Sequence, residues 1–293
     1  MSALSCWNAA PDGKPVNTTA LRAKAETFAT LHEGPEILVL PNCWDAGSAK
    51  ILADAGFPAI ATTSAGVAFA HGYADGHVIS RDEMCAEVAR CAAIVDVPLT
   101  ADMEGGYGVP PEEVAKTIRR AIAAGAVGAN IEDLIATETE PMLDMGLAVE
   151  RIRAGREAAD SAGIPFVLNA RTDVYLHNKG SASAMFDEAV SRANAYYAAG
   201  ARCTYVPGVA DPALIQRLAD AIDGPLNILA GPTSPSTAEL QAMGVARVSI
   251  GGSLARACLK LVENAAAELR GSGTYGYGEG GFSNDALNQR FTV

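Results

Sequence analysis

Paired cysteines are missing from this chain. Its six (Cys6, Cys43, Cys85, Cys91, Cys203, Cys258) show no CxxC and no metal-type spacing. That excludes a zinc-ribbon or redox-motif reading, and most of them sit among Ala, Val and Leu, where cysteine behaves as a small buried apolar residue. Basic residues are also in short supply: 22 Lys and Arg stand against 34 Asp and Glu, a formal net charge of −12. Phosphate backbones need a basic face, so no nucleic-acid partner is expected. No apolar run approaches the length that spans a bilayer, and the first residues lack the basic start and apolar core of a signal peptide. These absences together predict a reduced, cytoplasmic protein with no membrane partner. No GxGxxG follows the first apolar run, which removes the usual dinucleotide-binding sheet.

What is present is a repeated phrase. From about residue 37 a short apolar run, a polar or Gly-rich junction and a helical stretch recur eight times. The runs are 37–42, 59–64, 98–103, 128–133, 166–172, 203–206, 226–230 and 247–251, with Ala-rich amphipathic segments such as 81–95, 111–124, 147–161 and 183–199 between them. Gly56, Gly125, Gly163, Gly200 and Gly244 sit where a helix would end in a left-handed turn. Apolar strands alternating with helices give a parallel sheet covered on both faces, and eight units in this length fit an α/β (β/α)₈ barrel of the TIM type better than an open sheet. The barrel domain is expected over 1–270, with an N-terminal helix over 18–33 closing its bottom. Residues 271–293 read as a Gly-rich flexible linker followed by a short helix, a tail suited to docking on a neighbouring subunit.

Barrel chemistry sits where strands end and loops begin, and polar residues collect there. Asn42, Trp44 and Asp45 follow the first run, Thr63 and Ser64 the second, Asp102 and Glu104 the third, Glu132 and Asp133 the fourth, and Asn169, Arg171 and Asp173 the fifth, while Asn227 lies in the seventh. Strand alternation predicts that Asp102 and Glu104 share a face. Two carboxylates on one face repel unless they share a cation or a proton, and hard oxygen ligands in that number suit Mg²⁺, with Mn²⁺ an alternative. Asp133 and Asp173 read better as helix caps or structural partners, and His71 and His77 as loop histidines. Arg171, a guanidinium near three carboxylates, needs them or an anionic ligand as its partner.

Five ordered motifs carry a resemblance: Trp44-Asp45-Ala46-Gly47-Ser48-Ala49, Thr63-Ser64-Ala65-Gly66-Val67, Asp102-x-Glu104-x-Gly106-Tyr107-Gly108, Ile131-Glu132-Asp133 and Asn169-Ala170-Arg171-Thr172-Asp173. Over about 40–259 the chain resembles the isocitrate lyase/phosphoenolpyruvate mutase superfamily. The resemblance implies that Asp102, Glu104, Glu132 and Asp75 hold a metal. It also implies that Arg171 binds carboxylate, that Thr63, Ser64 and Ala65 hold substrate carboxylate and oxyanion, and that Trp44 and Asn227 complete the substrate pocket. The implied chemistry is Mg²⁺-assisted lysis or decarboxylation of a small 2-oxo or 2-hydroxy carboxylate through a metal-stabilised enolate, in a homo-oligomer, a tetramer by resemblance. Asp102, Arg171, Thr63 and Ser64 would be its catalytic residues. Three departures alter the substrate half of the site. The KKCGH-type gating loop of isocitrate and methylisocitrate lyases is replaced by a shorter 134–142 segment with neither cysteine nor lysine. Ala61 stands where an aromatic is expected, and Tyr205-Val206-Pro207-Gly208 stands where relatives place a glutamate or histidine. Lysis of isocitrate or methylisocitrate is therefore not expected. A phosphonopyruvate-type P–C mutase or hydrolase and a catalytically silent 2-oxo acid binder stay open beside the lyase.

Overall fold

The computed structural model describes residues 18–76, 78–135, 142–177 and 180–292. Nine parallel strands run in chain order: β1 (Leu38–Leu40), β2 (Asn42–Cys43), β3 (Ile60–Thr62), β4 (Leu99–Asp102), β5 (Gly128–Glu132), β6 (Val167–Arg171), β7 (Cys203–Tyr205), β8 (Leu226–Leu229) and β9 (Arg247–Ser249). Their spatial order is β1-β9-β8-β7-β6-β5-β4-β3-β2. The expected count of eight becomes nine because Pro41 interrupts the first run. Proline has no N–H to give the ladder, so β1 pairs with β9 while β2 pairs with β3. The ring closes through this one interrupted segment, and the (β/α)₈ TIM-type expectation holds.

Helices cover the outer face for local reasons. In helix Pro111–Ala123, Val114, Thr117, Ile118 and Ala121 are buried at helical spacing, and Pro111 occupies the first turn, where no N–H is needed. This helix lies close against helix Met145–Ser161, where a Cβ added to Gly155 would sit 3.2 Å from Val114 Cγ1. Reciprocal capping boxes start three other helices, from Asp45 with Ser48, Ser80 with Glu83, and Ser236 with Glu239. The N-terminal helix is Thr18–Thr30, and its fully buried Phe28 plugs the barrel floor. Gly128 is glycine for that reason: a Cβ there would lie 2.7 Å from the Phe28 ring and 2.8 Å from both Thr100 Oγ1 and the Val167 carbonyl.

The last barrel helix, Ser253–Gly271, exposes Leu259, Leu261, Val262 and Leu269. The Gly-rich stretch beyond it is tied down, because the Glu268 carboxylate accepts from Thr274 Oγ1 at 2.6 Å and from the N–H groups of Gly276 (2.6 Å) and Tyr277 (3.0 Å). A terminal helix, Asn284–Phe291, follows. Among the described residues no helix is long and apolar enough to cross a membrane.

Candidate active site

Strand alternation gives the barrel a polar inner wall. Thr100, Asp102, Asn130, Asn169, Asn227 and Ser249 border a cavity of about 220 Å³ at the heart of the ring. A hydrogen-bonded ladder crosses three strands: Asn169 Nδ2 donates to Asn130 Oδ1 (3.2 Å), and Asn130 Nδ2 donates to Asp102 Oδ1 (3.2 Å). The other Asp102 oxygen accepts from the Ser64 hydroxyl (2.9 Å) and the Ser64 N–H (3.1 Å). Thr63 caps the helix that begins at Ser64, so strand β3 delivers Thr63, Ser64 and Ala65 directly to the cavity edge. Gly66 lets this turn approach closely, since a Cβ there would meet Thr63 Cγ2 at 2.7 Å and Trp44 Cβ at 2.8 Å.

Strand β4 stops at Asp102, and the expected shared face of Asp102 and Glu104 stops with it. Glu104 adopts φ 50° and Tyr107 φ 60°, both left-handed, so the chain coils away through a tight turn. Glu104 is buried, its N–H faces Asp102 Oδ1 at 3.4 Å, and its carbonyl accepts from the Glu132 N–H at 3.1 Å. The turn is clamped from below by Arg151, which donates to the carbonyls of Gly105, Gly108 and, at 2.6 Å, Val109. Burial lowers the Arg151 pKa to about 10, with Tyr196 and Asp133 opposing that shift.

Arg171, the last residue of β6, also borders the cavity. It bonds Asp173 through Nε (2.5 Å) and Nη2 (2.9 Å), reaches Glu132 at 2.8 Å, and its guanidinium lies 5.7 Å from the Tyr205 ring centroid. Burial works against its charge, but Glu132, Asp173 and Tyr205 outweigh it and hold the pKa well above the usual arginine range. Burial pushes the Tyr205 phenol up, Arg171 opposing, so Tyr205 keeps its proton.

Of the residues singled out in the sequence, Asp102, Thr63, Ser64, Ala65, Arg171, Asn227 and Asp75 meet at this cavity. Three of those expected to bind metal or substrate do not border it. Glu104 lies in the turn, Glu132 turns to Arg171, and Trp44 packs behind Gly66. Asp133 is structural, as read: it accepts from Tyr196 Oη (2.7 Å), Arg192 Nη1 (3.2 Å) and the Asp173 N–H (3.0 Å). His71 faces Glu87 at 3.7 Å, outside the cavity. His77 and loop residues 136–141 lie outside the described residues, the loop's ends meeting in a Leu134–Met142 bridge. Sequence reasoning missed Asn130, Arg247 and Arg256 at the cavity. Arg247 carried a signal, since it has the same parity as Ser249 within β9.

The donors available to a divalent cation are carboxylates. Asp102 borders the cavity from β4 and Asp75 from the loop above it. Burial, and then the charges of Asp102 and Glu132, raise the Asp75 pKa, with Arg171 opposing, so three carboxylates share one field that a cation would relieve. Among the described residues no three acidic, histidine or cysteine side chains converge tightly enough to grip an ion alone. One or two carboxylates with room for water is the set that Mg²⁺ accepts and that zinc does not. The residues fit a hydrated hard cation.

Comparison with known proteins agrees with this geometry. The model of the phosphoenolpyruvate phosphomutase family matches residues 28–270. Rv1998c, an uncharacterized protein of Mycobacterium tuberculosis, is 34% identical over 227 residues, 77% of this chain and 81% of that one. The 2-methylisocitrate lyase of Escherichia coli is 30% identical over 262 residues, 86% and 85% of the two chains. A crystal structure from Burkholderia cenocepacia J2315, described only as that of a lyase/mutase, superposes with a TM-score of 0.88 at 40% identity, covering 94% of this chain and 98% of that one. The chain belongs to the phosphoenolpyruvate phosphomutase family, within the isocitrate lyase/phosphoenolpyruvate mutase superfamily, and is an enzyme of the lyase type.

Proposed function

We propose that this family member cleaves a carbon–carbon bond, as lyase or decarboxylase, in a small 2-oxo or 2-hydroxy carboxylate. Mg²⁺, or Mn²⁺, would be held at Asp102 and Asp75 on the cavity wall, with Glu104 and Glu132, which do not border the cavity, reached only through water. The observation that carries this reading is the meeting of Asp102, Ser64 and Arg171 around one small polar cavity. A bound Mg²⁺ supplies positive charge that offsets the negative charge developing on the substrate oxygen as the neighbouring bond breaks. Arg171 stays charged and binds the substrate carboxylate, aimed by Asp173 and Glu132. The Ser64 hydroxyl and N–H fix the Asp102 carboxylate, and Thr63 and Ala65 line the wall where an oxyanion would lie. Ala61 and Tyr205 shape the substrate half, with Tyr205 presenting a protonated phenol. For assembly we favour a homotetramer built on the exposed apolar residues of helix Ser253–Gly271, which light scattering of the purified protein would test.

The test is product formation from a panel of 2-oxo and 2-hydroxy di- and tricarboxylates, followed by trapping the carbonyl product, with Mg²⁺ and with chelator. Turnover that needs Mg²⁺ and vanishes in Asp102→Ala is expected. No product from any member, alongside Mg²⁺-dependent binding of oxalate, would contradict the lyase and favour a silent 2-oxo acid binder. Release of phosphate or a phosphoryl shift from phosphonopyruvate would instead favour P–C chemistry.

A further inference from the structure

Among the described residues, the buried and half-buried arginines come with partners, save one. Arg151 meets three carbonyls, and Arg192 bonds Glu188 (3.0 Å), the Leu143 carbonyl (3.0 Å) and Asp133. Arg171 holds Glu132 and Asp173. Arg247, the first residue of β9, is only 3% exposed, and its Nε and Nη1 have no hydrogen-bond partner among the described residues. Such a guanidinium is strongly unfavourable without a counter-charge. Its neighbours supply none at contact distance. Tyr205 and Cys203 stay protonated because burial raises both, and His32 is held neutral, its pKa lowered to about 3 by burial first and then by Arg247. The Asp102 charge is felt from farther away, and its oxygens already serve Ser64 and Asn130.

Arg247 also borders the active cavity, as do Asn169 and Thr100, each of which carries a buried polar atom (Oδ1 and Oγ1) with no hydrogen-bond partner among the described residues. Asp102 and Arg171 end their strands at the mouth side of the barrel, whereas Arg247 begins its strand and enters from the floor side. The cavity therefore offers a second cationic anchor, at its deep end.

We propose that Arg247 is a specificity residue that receives a second carboxylate, so that the substrate is a dicarboxylate spanning the cavity from mouth to floor. This rests on the small-carboxylate reading above. A monocarboxylate would leave the guanidinium unmatched, while a distal carboxylate satisfies it with charge-assisted hydrogen bonds.

The test is calorimetric titration of wild type and Arg247→Met, in Mg²⁺, with oxalate, lactate and malate. Lactate and malate share a 2-hydroxy acid head and differ by the distal carboxylate. The expected result is malate binding at least about tenfold tighter than lactate to wild type, the order of one charge-assisted hydrogen bond. In Arg247→Met that preference should shrink to within about threefold, with oxalate and lactate scarcely changed. Arg247→Lys should keep part of the preference. A wild type that does not prefer malate, or a preference that survives in Arg247→Met, would overturn the proposal. Melting temperatures that rise with chloride in wild type alone, without malate preference, would assign Arg247 to an inorganic anion and overturn it as well. Failure of all three ligands on wild type would instead remove the underlying carboxylate reading.

Discussion

Just past β5, on the outer side of the barrel wall, Asp133, Arg192 and Tyr196 form a buried cluster in which the charges find partners within 3.3 Å. On the inner side, Arg247 Nε and Nη1, Asn169 Oδ1 and Thr100 Oγ1 are equally buried and have no hydrogen-bond partner among the described residues. The residue types overlap and the burial is comparable, so burial alone does not separate scaffold from site. Matching does. A polar group satisfied by its own chain holds the fold, and one left unsatisfied at a cavity wall is the group a ligand must meet. Glu132 and Asp133 show how small the sequence difference is: consecutive residues, one serving Arg171 at the site and the other locked in the shell.

Substitutions on the two sides should then behave oppositely. The largest effect belongs to the shell. Arg192→Met removes the counter-charge of the buried Asp133 carboxylate and should destabilise the protein by roughly 3–5 kcal/mol in urea unfolding, while the fraction still folded binds oxalate normally. Next comes Arg171→Ala, expected to weaken Mg²⁺-dependent oxalate binding by about 2–4 kcal/mol in calorimetry, as loss of a charged ligand contact does. If Arg192→Met instead reduced affinity as much as Arg171→Ala, the division between shell and inner wall would collapse.

A smaller effect is set by His32 at the barrel floor. Its pKa is about 3 in the folded protein because of burial and the Arg247 charge, against an ordinary value near 6.5 when unfolded. The unfolded chain therefore takes up the proton first. The His32 contribution is intact above about pH 6.5 and is lost as pH falls from there toward 3, costing about 1 kcal/mol by pH 6. His32→Phe should flatten stability against pH over that window, and an unchanged profile would contradict the assignment. Smallest is Arg247→Met, whose stability should stay level or rise by up to about 1 kcal/mol, because an unpaired buried charge is replaced by an apolar chain of similar length. A loss as large as that of Arg192→Met in the same urea series would show that Arg247 is a structural arginine after all.

The barrel is readable in the sequence because its signals are local: apolar runs at regular intervals and glycines at helix ends. What the reading lacked was geometry at single residues. Pro41 split one run into β1 and β2 by withholding an N–H, which changes the count and leaves the ring intact. Asp102, Ser64 and Arg171 were legible because they stand at strand ends. Alternation places Glu104 on the face of Asp102 only if the strand continues, and the left-handed turn at Glu104 ends it. Arg247 sits at the beginning of its strand, away from the strand ends where barrel chemistry is expected, and still borders the cavity. Trp44 follows β2 yet packs behind Gly66, a placement that depends on how the helix after β3 lies and that no local pattern encodes.

The most direct test of the central claim is isothermal titration of the purified wild-type protein with oxalate, a planar mimic of the enolate that such a site should favour, in Mg²⁺ and again in chelator. The account predicts binding that is tight with Mg²⁺, absent without it, and abolished by Asp102→Ala in a protein that still melts cooperatively. Binding that is indifferent to Mg²⁺ or to Asp102, or no binding at all, would contradict the reading of the polar inner wall as a metal-assisted carboxylate site.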